Sequence, residues 1–151
     1  YGRIGQEIAA QLQRDAVPLV VIETDPERKA VADENGLWVL QADATLDETL
    51  LDAGLERCCS LVAALPSDAS NLYVILSAKD LRPDCRLIAR ANSDEAASKL
   101  RLAGATVVVS PYVAGGRVMA ASGYQCMLIS RFETCNNAHI QYDQFIHSYV
   151  R

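Results

Sequence analysis

The sequence has 151 residues, which is the size of one ordinary domain. Half of the residues are hydrophobic and 22% are charged, a composition that excludes intrinsic disorder and predicts a packed core. The formal net charge of −5 argues against nucleic acid as the main partner. The sequence contains neither a run of about 18 apolar residues nor a signal-peptide pattern, so a cytoplasmic location is expected.

The cysteines are odd in number and include no CxxC pair. They are Cys58, Cys59, Cys85, Cys126 and Cys135. This pattern predicts reduced, mostly buried thiols, and neither a disulfide framework nor a metal site. The Cys58-Cys59 pair precedes an apolar run and is interpreted as packing.

Short apolar runs alternate with longer helical patterns between residues 2 and 122. Most of these runs are continuously apolar and β-branched, which is typical of strands covered on both faces. The predicted strands are residues 17–23, 37–41, 60–65, 86–90 and 106–110. The alternation predicts an α/β protein with a Rossmann-like, doubly wound parallel sheet.

Capping signals lie between the predicted strands. Three segments are typical of helix starts: Asp25-Pro26, the box at residues 45–48, and residues 92–95. Three glycines follow helical patterns, where a left-handed residue ends a helix: Gly36, Gly54 and Gly104.

The character of the sequence changes near residue 122. Residues 122–151 carry both histidines, His139 and His147, and show no clear period of 2 or 3.6. A strand-containing cap, an interface arm and a disordered end all remain open for this segment. We therefore predict one domain at residues 1–121 and leave residues 122–151 as an unassigned tail.

The segment Gly2-Arg3-Ile4-Gly5 has the spacing of the last four positions of a GxGxxG fingerprint and opens an amphipathic helix. Gly2 would let the backbone approach a pyrophosphate, and Gly5 would let the helix pack closely on the sheet. Free N–H groups at the helix N-terminus, together with Arg3, would attract the phosphates. A simple tight turn is the alternative interpretation.

The strand that should precede this glycine turn is missing from the sequence. In a doubly wound sheet that strand is central. Either the sequence is truncated there, or another segment fills the position.

Glu23 follows the glycine turn at about the 20-residue distance expected for an acid that binds ribose hydroxyls. A carboxylate at this place would repel a 2′-phosphate, so the sequence favours NAD or an adenine nucleotide over NADP. A solvated strand end is the alternative for Glu23, and Asp25 is predicted to cap a helix.

Asp43-Ala44-Thr45 follows the next predicted strand and would border the adenine side of the same crevice, because ligands of open α/β sheets bind at the carboxyl ends of strands. Thr45 has a competing explanation as a helix cap paired with Glu48. Ser67 and Asp68 end another strand, and helix capping is the favoured interpretation for both.

Several of these segments together resemble the RCK domain, the regulator of potassium conductance, also called the TrkA N-terminal domain. They are residues 1–5, 20–25, 42–45, 63–81 and 99–111. The resemblance covers about residues 1–121. It implies a gating domain of a potassium channel or transporter, assembled as a homodimer or octameric ring at the cytoplasmic face of the membrane.

The resemblance also implies that NAD(H) or an adenine nucleotide (ATP, ADP or AMP) binds at the glycine-turn crevice. The candidate binding residues are Gly2, Arg3, Ile4, Gly5, Glu23, Asp43, Ala44 and Thr45. Some RCK domains also bind a divalent ion at carboxylates, but no matching cluster is assigned in this sequence.

The leading prediction is therefore a non-catalytic regulatory domain in which a nucleotide shifts the equilibrium between two conformations. The alternative is a small NAD-dependent oxidoreductase, which needs a proton donor or base beside the nicotinamide. No tyrosine is followed four residues later by lysine, and no catalytic residue is predicted. A fragment that keeps the fold without binding a ligand is a third possibility.

Overall fold

A computed structural model of the chain describes residues 1–129, with side chains to residue 122. Residues Tyr1–Pro111 form one compact unit, and a second unit begins at Tyr112. The helices are α1 (Arg3–Arg14), α2 (Pro26–Glu34), α3 (Asp47–Asp52), α4 (Asp68–Leu81), α5 (Asp94–Leu102) and α6 (Pro111–Ile129). The strands are β1 (Val20–Ile22), β2 (Trp38–Leu40), β3 (Ser60–Ala63), β4 (Arg86–Arg90) and β5 (Val107–Val109). The five predicted strands and their intervening helices are confirmed.

The strands pair in parallel and form two sheets, with the orders β1-β2 and β3-β4-β5. In the doubly wound arrangement, six strands lie in the order 3-2-1-4-5-6. The β1-β2 pair corresponds to strands 2 and 3 of that arrangement, and β3-β4-β5 corresponds to strands 4, 5 and 6. Strand 1 of the arrangement has no counterpart among the described strands. Within residues 1–129, no strand pairs with both β1 and β3, so the predicted central position of the sheet is not filled by a described strand. The α/β class with parallel sheets is confirmed.

The hydrophobic core has two parts. The larger part surrounds β4, where Leu87 and Ala89 are fully buried, and includes Ile75 of α4 and Leu100 of α5. The smaller part lies beside the β1-β2 sheet. Val20 and Val62 are half-exposed although they belong to apolar runs, because β1 and β3 each pair with a single described strand.

Most of the predicted capping signals form the expected hydrogen bonds. The Asp25 carboxylate accepts from the N–H groups of Glu27 and Arg28, and the Ser93 hydroxyl accepts from Ala96 N–H at 3.1 Å. The three predicted C-terminal glycines have positive φ angles, as expected. The prediction for Thr45 is wrong: α3 begins one residue later than the box requires, with Leu46 at its N-cap, so the Thr45 hydroxyl does not cap it.

Helix α6 continues without interruption across residues 121 and 122. Residues 130–151, which include both histidines of the unassigned tail, lie outside the described residues. None of the helices in the described part of the chain is long and apolar enough to cross a membrane.

Helix α5 offers a test of local capping with two serines. We expect Ser93→Ala to lower the free energy of unfolding by about 1 kcal/mol, because the first turn loses its cap. Ser98→Ala is the matched control, since the Ser98 hydroxyl bonds back to Asp94 O on the exposed face of the same helix. We expect that variant to stay within about 0.5 kcal/mol of the parent. Urea unfolding measures both, and equal losses would contradict the assignment of the cap.

Candidate functional site

The N-terminus of α1 is open to an anion. Gly2 is its N-cap and has no side chain to bond the first N–H groups of the helix. The first turn contains no acidic residue and begins with the exposed Arg3. The positive end of the helix dipole is therefore supplemented by a cation and not neutralised by a side chain.

Gly2 and Gly5 both have open space around them, but the consequence differs between the two positions. A Cβ atom added to Gly2 or to Gly5 would meet no described atom within 4 Å. At Gly2 this open space allows close approach of a phosphate to the backbone. The close packing predicted for Gly5 is not seen among the described residues, because a Cβ atom at this position would meet open space.

Glu23 lies directly after β1 and is buried, with 9% of its surface exposed. Its backbone N–H donates to Leu40 O of β2 at 3.1 Å, which extends the pairing by one residue. Its carboxylate accepts a hydrogen bond from Asp25 N–H at 3.0 Å and forms an ion pair with the terminal amino group of Tyr1. The alternative interpretation of Glu23 as a solvated strand end is therefore wrong.

The contact between Glu23 and Tyr1 brings the predicted acid to the glycine turn, since Tyr1 immediately precedes Gly2. An ionised carboxylate has about four acceptor positions. One is used by the Asp25 N–H and one by the terminal amino group of Tyr1, and a third meets the Thr24 hydroxyl at the long distance of 3.4 Å. Acceptor capacity remains for a ligand hydroxyl beside the N-terminus of α1.

Asp43 and Thr45 form a local turn after β2. The Asp43 carboxylate accepts from Thr45 N–H at 2.9 Å and from the Thr45 hydroxyl at 2.8 Å. Both bonds lower the pKa of Asp43 below its ordinary value, and the bond from the Thr45 backbone has the larger effect. Ala44 between them packs against the larger core. Within the described residues, no hydrogen bond joins this turn to Glu23, although both follow neighbouring parallel strands.

Sequence reasoning missed Asn71, a fully buried residue of α4. Its side-chain oxygen accepts from Leu65 N–H at 2.9 Å, and its amide nitrogen donates to Leu65 O at 3.1 Å and to Arg90 O at 3.0 Å. One amide thus fixes the segment after β3 to the end of β4. An asparagine among the apolar residues of a helix was the available signal, because a buried amide must find partners.

A second asparagine supports the same edge of the sheet. The Asn92 amide donates to Pro66 O at 2.9 Å and to the Asp68 carboxylate at 3.0 Å, and Asn92 N–H also donates to Asp68. Ser67 caps α4, as predicted, by accepting from Ser70 N–H. Asp68 was also predicted to cap α4, but its carboxylate instead accepts hydrogen bonds from Asn92, which lies two residues after β4.

These features define a class of protein: a Rossmann-like domain with a glycine turn and a buried acid at the carboxyl edge of a parallel sheet. Residues 1–111 match the TrkA-N domain, and the chain belongs to this family. The resemblance identified in the sequence is thereby confirmed.

One relative is potassium channel protein 1 of Methanocaldococcus jannaschii, which is 35% identical over 122 residues covering 80% of this chain and 37% of the relative. The chain thus spans about a third of the length of the curated potassium channel proteins that it matches.

Two solved proteins have similar folds. The TrkA-N domain of the inner membrane protein YbaL from Escherichia coli superposes with a TM-score of 0.76 at 30% identity, covering 80% of this chain and 90% of that chain. The GsuK channel bound to NAD gives 0.70 at 34% identity, covering 80% of this chain and 21% of that chain. GsuK bound to ADP gives the same TM-score and identity, and covers 31% of that chain.

Asn71→Ala tests the buried amide. It leaves the N–H and C=O groups of Leu65 and the Arg90 carbonyl without their partner, at a cost of about 1–3 kcal/mol for each group that stays buried. We expect the free energy of unfolding to fall by about 3 kcal/mol or more in urea titrations. Asn92→Ala, at an exposed position, is the matched control and should cost about 1 kcal/mol. A loss of less than about 1 kcal/mol for Asn71→Ala would argue against its role in fixing the strand ends.

Proposed function

We propose that this chain is a non-catalytic regulatory domain of a potassium channel or transporter that binds NAD(H) or an adenine nucleotide. The observation that carries the proposal is the buried Glu23 carboxylate in contact with Tyr1, directly beside the Gly2 turn. This contact supports a single site in which an acid for the ribose lies beside an N-terminus for the phosphates.

Each part of an adenine nucleotide has a chemical counterpart at this site. The phosphates would accept hydrogen bonds from the N–H groups of the first turn of α1, with Arg3 as a nearby cation. The ribose hydroxyls would donate to Glu23, which supports binding of NAD over NADP because a 2′-phosphate would meet a buried negative charge. The Asp43-Ala44-Thr45 turn would border the adenine from the end of β2.

The relatives support this ligand class and this role. GsuK is a channel that has been solved bound to NAD and bound to ADP. Further relatives include potassium channel proteins and a putative K⁺ efflux antiporter of Alkalimonas amylolytica, which is 31% identical over 121 residues. We infer from them a membrane-embedded pore as the partner and a location at its cytoplasmic side.

Regulation requires that the nucleotide bind two conformations with different affinities, because only a difference in affinity shifts their populations. We propose that a homodimer or an octameric ring transmits this shift to the pore.

No chemical step is assigned to the domain, and the net charge of −5 does not favour nucleic acid as a partner. Oxidation or reduction of an alcohol or aldehyde with NAD(H) by the purified chain would instead support a small oxidoreductase.

The ribose-binding role of Glu23 is tested by thermal shift and calorimetry with NAD, NADH, NADP, ATP, ADP and AMP. A ligand at 100 times its dissociation constant should stabilise the chain by roughly 2.7 kcal/mol. We expect Glu23→Ala to weaken binding of NAD or ADP at least tenfold, because hydrogen bonds to a charged group are lost.

Two further variants separate binding from folding at Glu23. Glu23→Gln keeps an acceptor for Asp25 N–H, so its ligand-free Tm should exceed that of Glu23→Ala. Glu27→Ala is the matched control on the exposed first turn of α2, and it should bind nucleotides like the parent. Equal affinity of the parent chain for NAD and NADP would contradict the assigned role of Glu23.

Arg3→Ala tests the phosphate end of the site. We expect about tenfold weaker binding of ADP, because a charge-assisted contact with the phosphates is lost. Arg14→Ala removes the same side chain from the other end of α1 and should leave affinity unchanged. Titrations at two salt concentrations should show a weaker salt dependence for Arg3→Ala alone. Unchanged ADP affinity in Arg3→Ala would exclude Arg3 from the phosphate site.

A further inference from the structure

Two cysteines meet at the edge of the β3-β4-β5 sheet where the strands begin. Cys58 lies two residues before β3, and Cys85 immediately precedes β4. Their sulfur atoms are 3.7 Å apart. Neither residue belongs to the proposed nucleotide site, which lies at the carboxyl ends of the strands.

The fold holds this pair together from several directions. Strands β3 and β4 are neighbours in parallel register, with Ser60 paired to Arg86, so the segments that enter them run side by side. The Arg82 guanidinium donates to Leu55 O at 2.9 Å and also to Cys58 O, which fixes the backbone before β3. The Cys58 thiol donates to Leu55 O at 3.3 Å. The contact between the two sulfur atoms is thus built into the entry of the sheet.

The two thiols differ in access to solvent. Cys85 is 5% exposed, and burial, followed by the neighbouring Cys58, raises its pKa to about 11. Cys85 is therefore protonated at neutral pH. Cys58 is half-buried and Cys59 is exposed, so the expectation that both pack in the core holds in part for Cys58 and is wrong for Cys59. A reagent from solvent would meet Cys58 before Cys85.

We propose that Cys58 and Cys85 are a modification site at which a low-molecular-weight disulfide converts two thiols into an intramolecular disulfide. The Cys58 thiolate attacks one sulfur of the reagent, forms a mixed disulfide and releases one thiol. Cys85 loses its proton to water and attacks Cys58 Sγ, which releases the second thiol. The two cysteines are oxidised, and the reagent is reduced to two thiols.

The cross-link requires the sulfur atoms to move from 3.7 Å to the roughly 2.05 Å of a disulfide bond. Cys58 is partly exposed, so its side chain is not enclosed by neighbours on every side. The closed loop includes α4, so the bond constrains the unfolded chain and stabilises the β3-β4 pair. Because the bond lies before β3 and β4, whereas Glu23 follows β1 in the other sheet, it should leave nucleotide affinity within about twofold.

The test uses the whole 151-residue chain treated with oxidised glutathione and then with an alkylating reagent. We expect peptide mapping to identify a Cys58–Cys85 link and thiol titration to show the loss of two thiols. The Tm should rise by about 5 °C or more and return to its starting value with dithiothreitol.

Variants separate this link from its competitors. Cys59→Ser should form the same link, whereas Cys58→Ser and Cys85→Ser should form none. If Cys85→Ser fails to fold, mapping of the Cys59→Ser chain decides the result. A bond between Cys58 and Cys59, a bond to Cys126, Cys135 or a second chain, or glutathione that stays on Cys58 without closure would each overturn the proposal.

Discussion

The hydrogen bonds of the buried Glu23 carboxylate are the interactions on which the proposed nucleotide site depends. Burying a carboxylate is costly unless donors replace its water, and here the terminal amino group of Tyr1 and the N–H group of Asp25 do so. Those donors come from the residue before the glycine turn and from the cap of α2. A single side chain therefore orients the end of β1 relative to the starts of two helices, α1 and α2.

The other half of the domain uses a neutral group for a comparable purpose. Asn71 is fully buried and satisfies backbone groups of Leu65, which lies just after β3, and of Arg90, the last residue of β4. Buried polar groups that have all their partners favour one arrangement, because any other leaves donors or acceptors without water. Specific hydrogen bonds therefore fix the carboxyl ends of β3 and β4 relative to each other, in addition to the packing of the apolar core.

The proposed ligand would bind where the strands end, whereas the proposed disulfide would form where β3 and β4 begin. A nucleotide would add hydrogen bonds to Glu23 and to the N-terminus of α1, whereas oxidation would join Cys58 to Cys85 where β3 and β4 begin. The first would shift the populations of two conformations, and the second would stabilise one sheet. Because the two sites share no residue, their effects on stability should be close to additive.

The sequence by itself determined the order of strands and helices, the family, and the caps at Asp25 and Ser93, because apolar periodicity and capping act over a few residues. It also predicted an acid at residue 23, but only the tertiary structure placed that acid, buried, against Tyr1. The turn between Asp43 and Thr45, the bonds of Asn71 and the Cys58–Cys85 contact were likewise decided by the fold. Residues 27 positions apart, such as the two cysteines, meet only when packing brings their strands together, and no local pattern of residues encodes that distance.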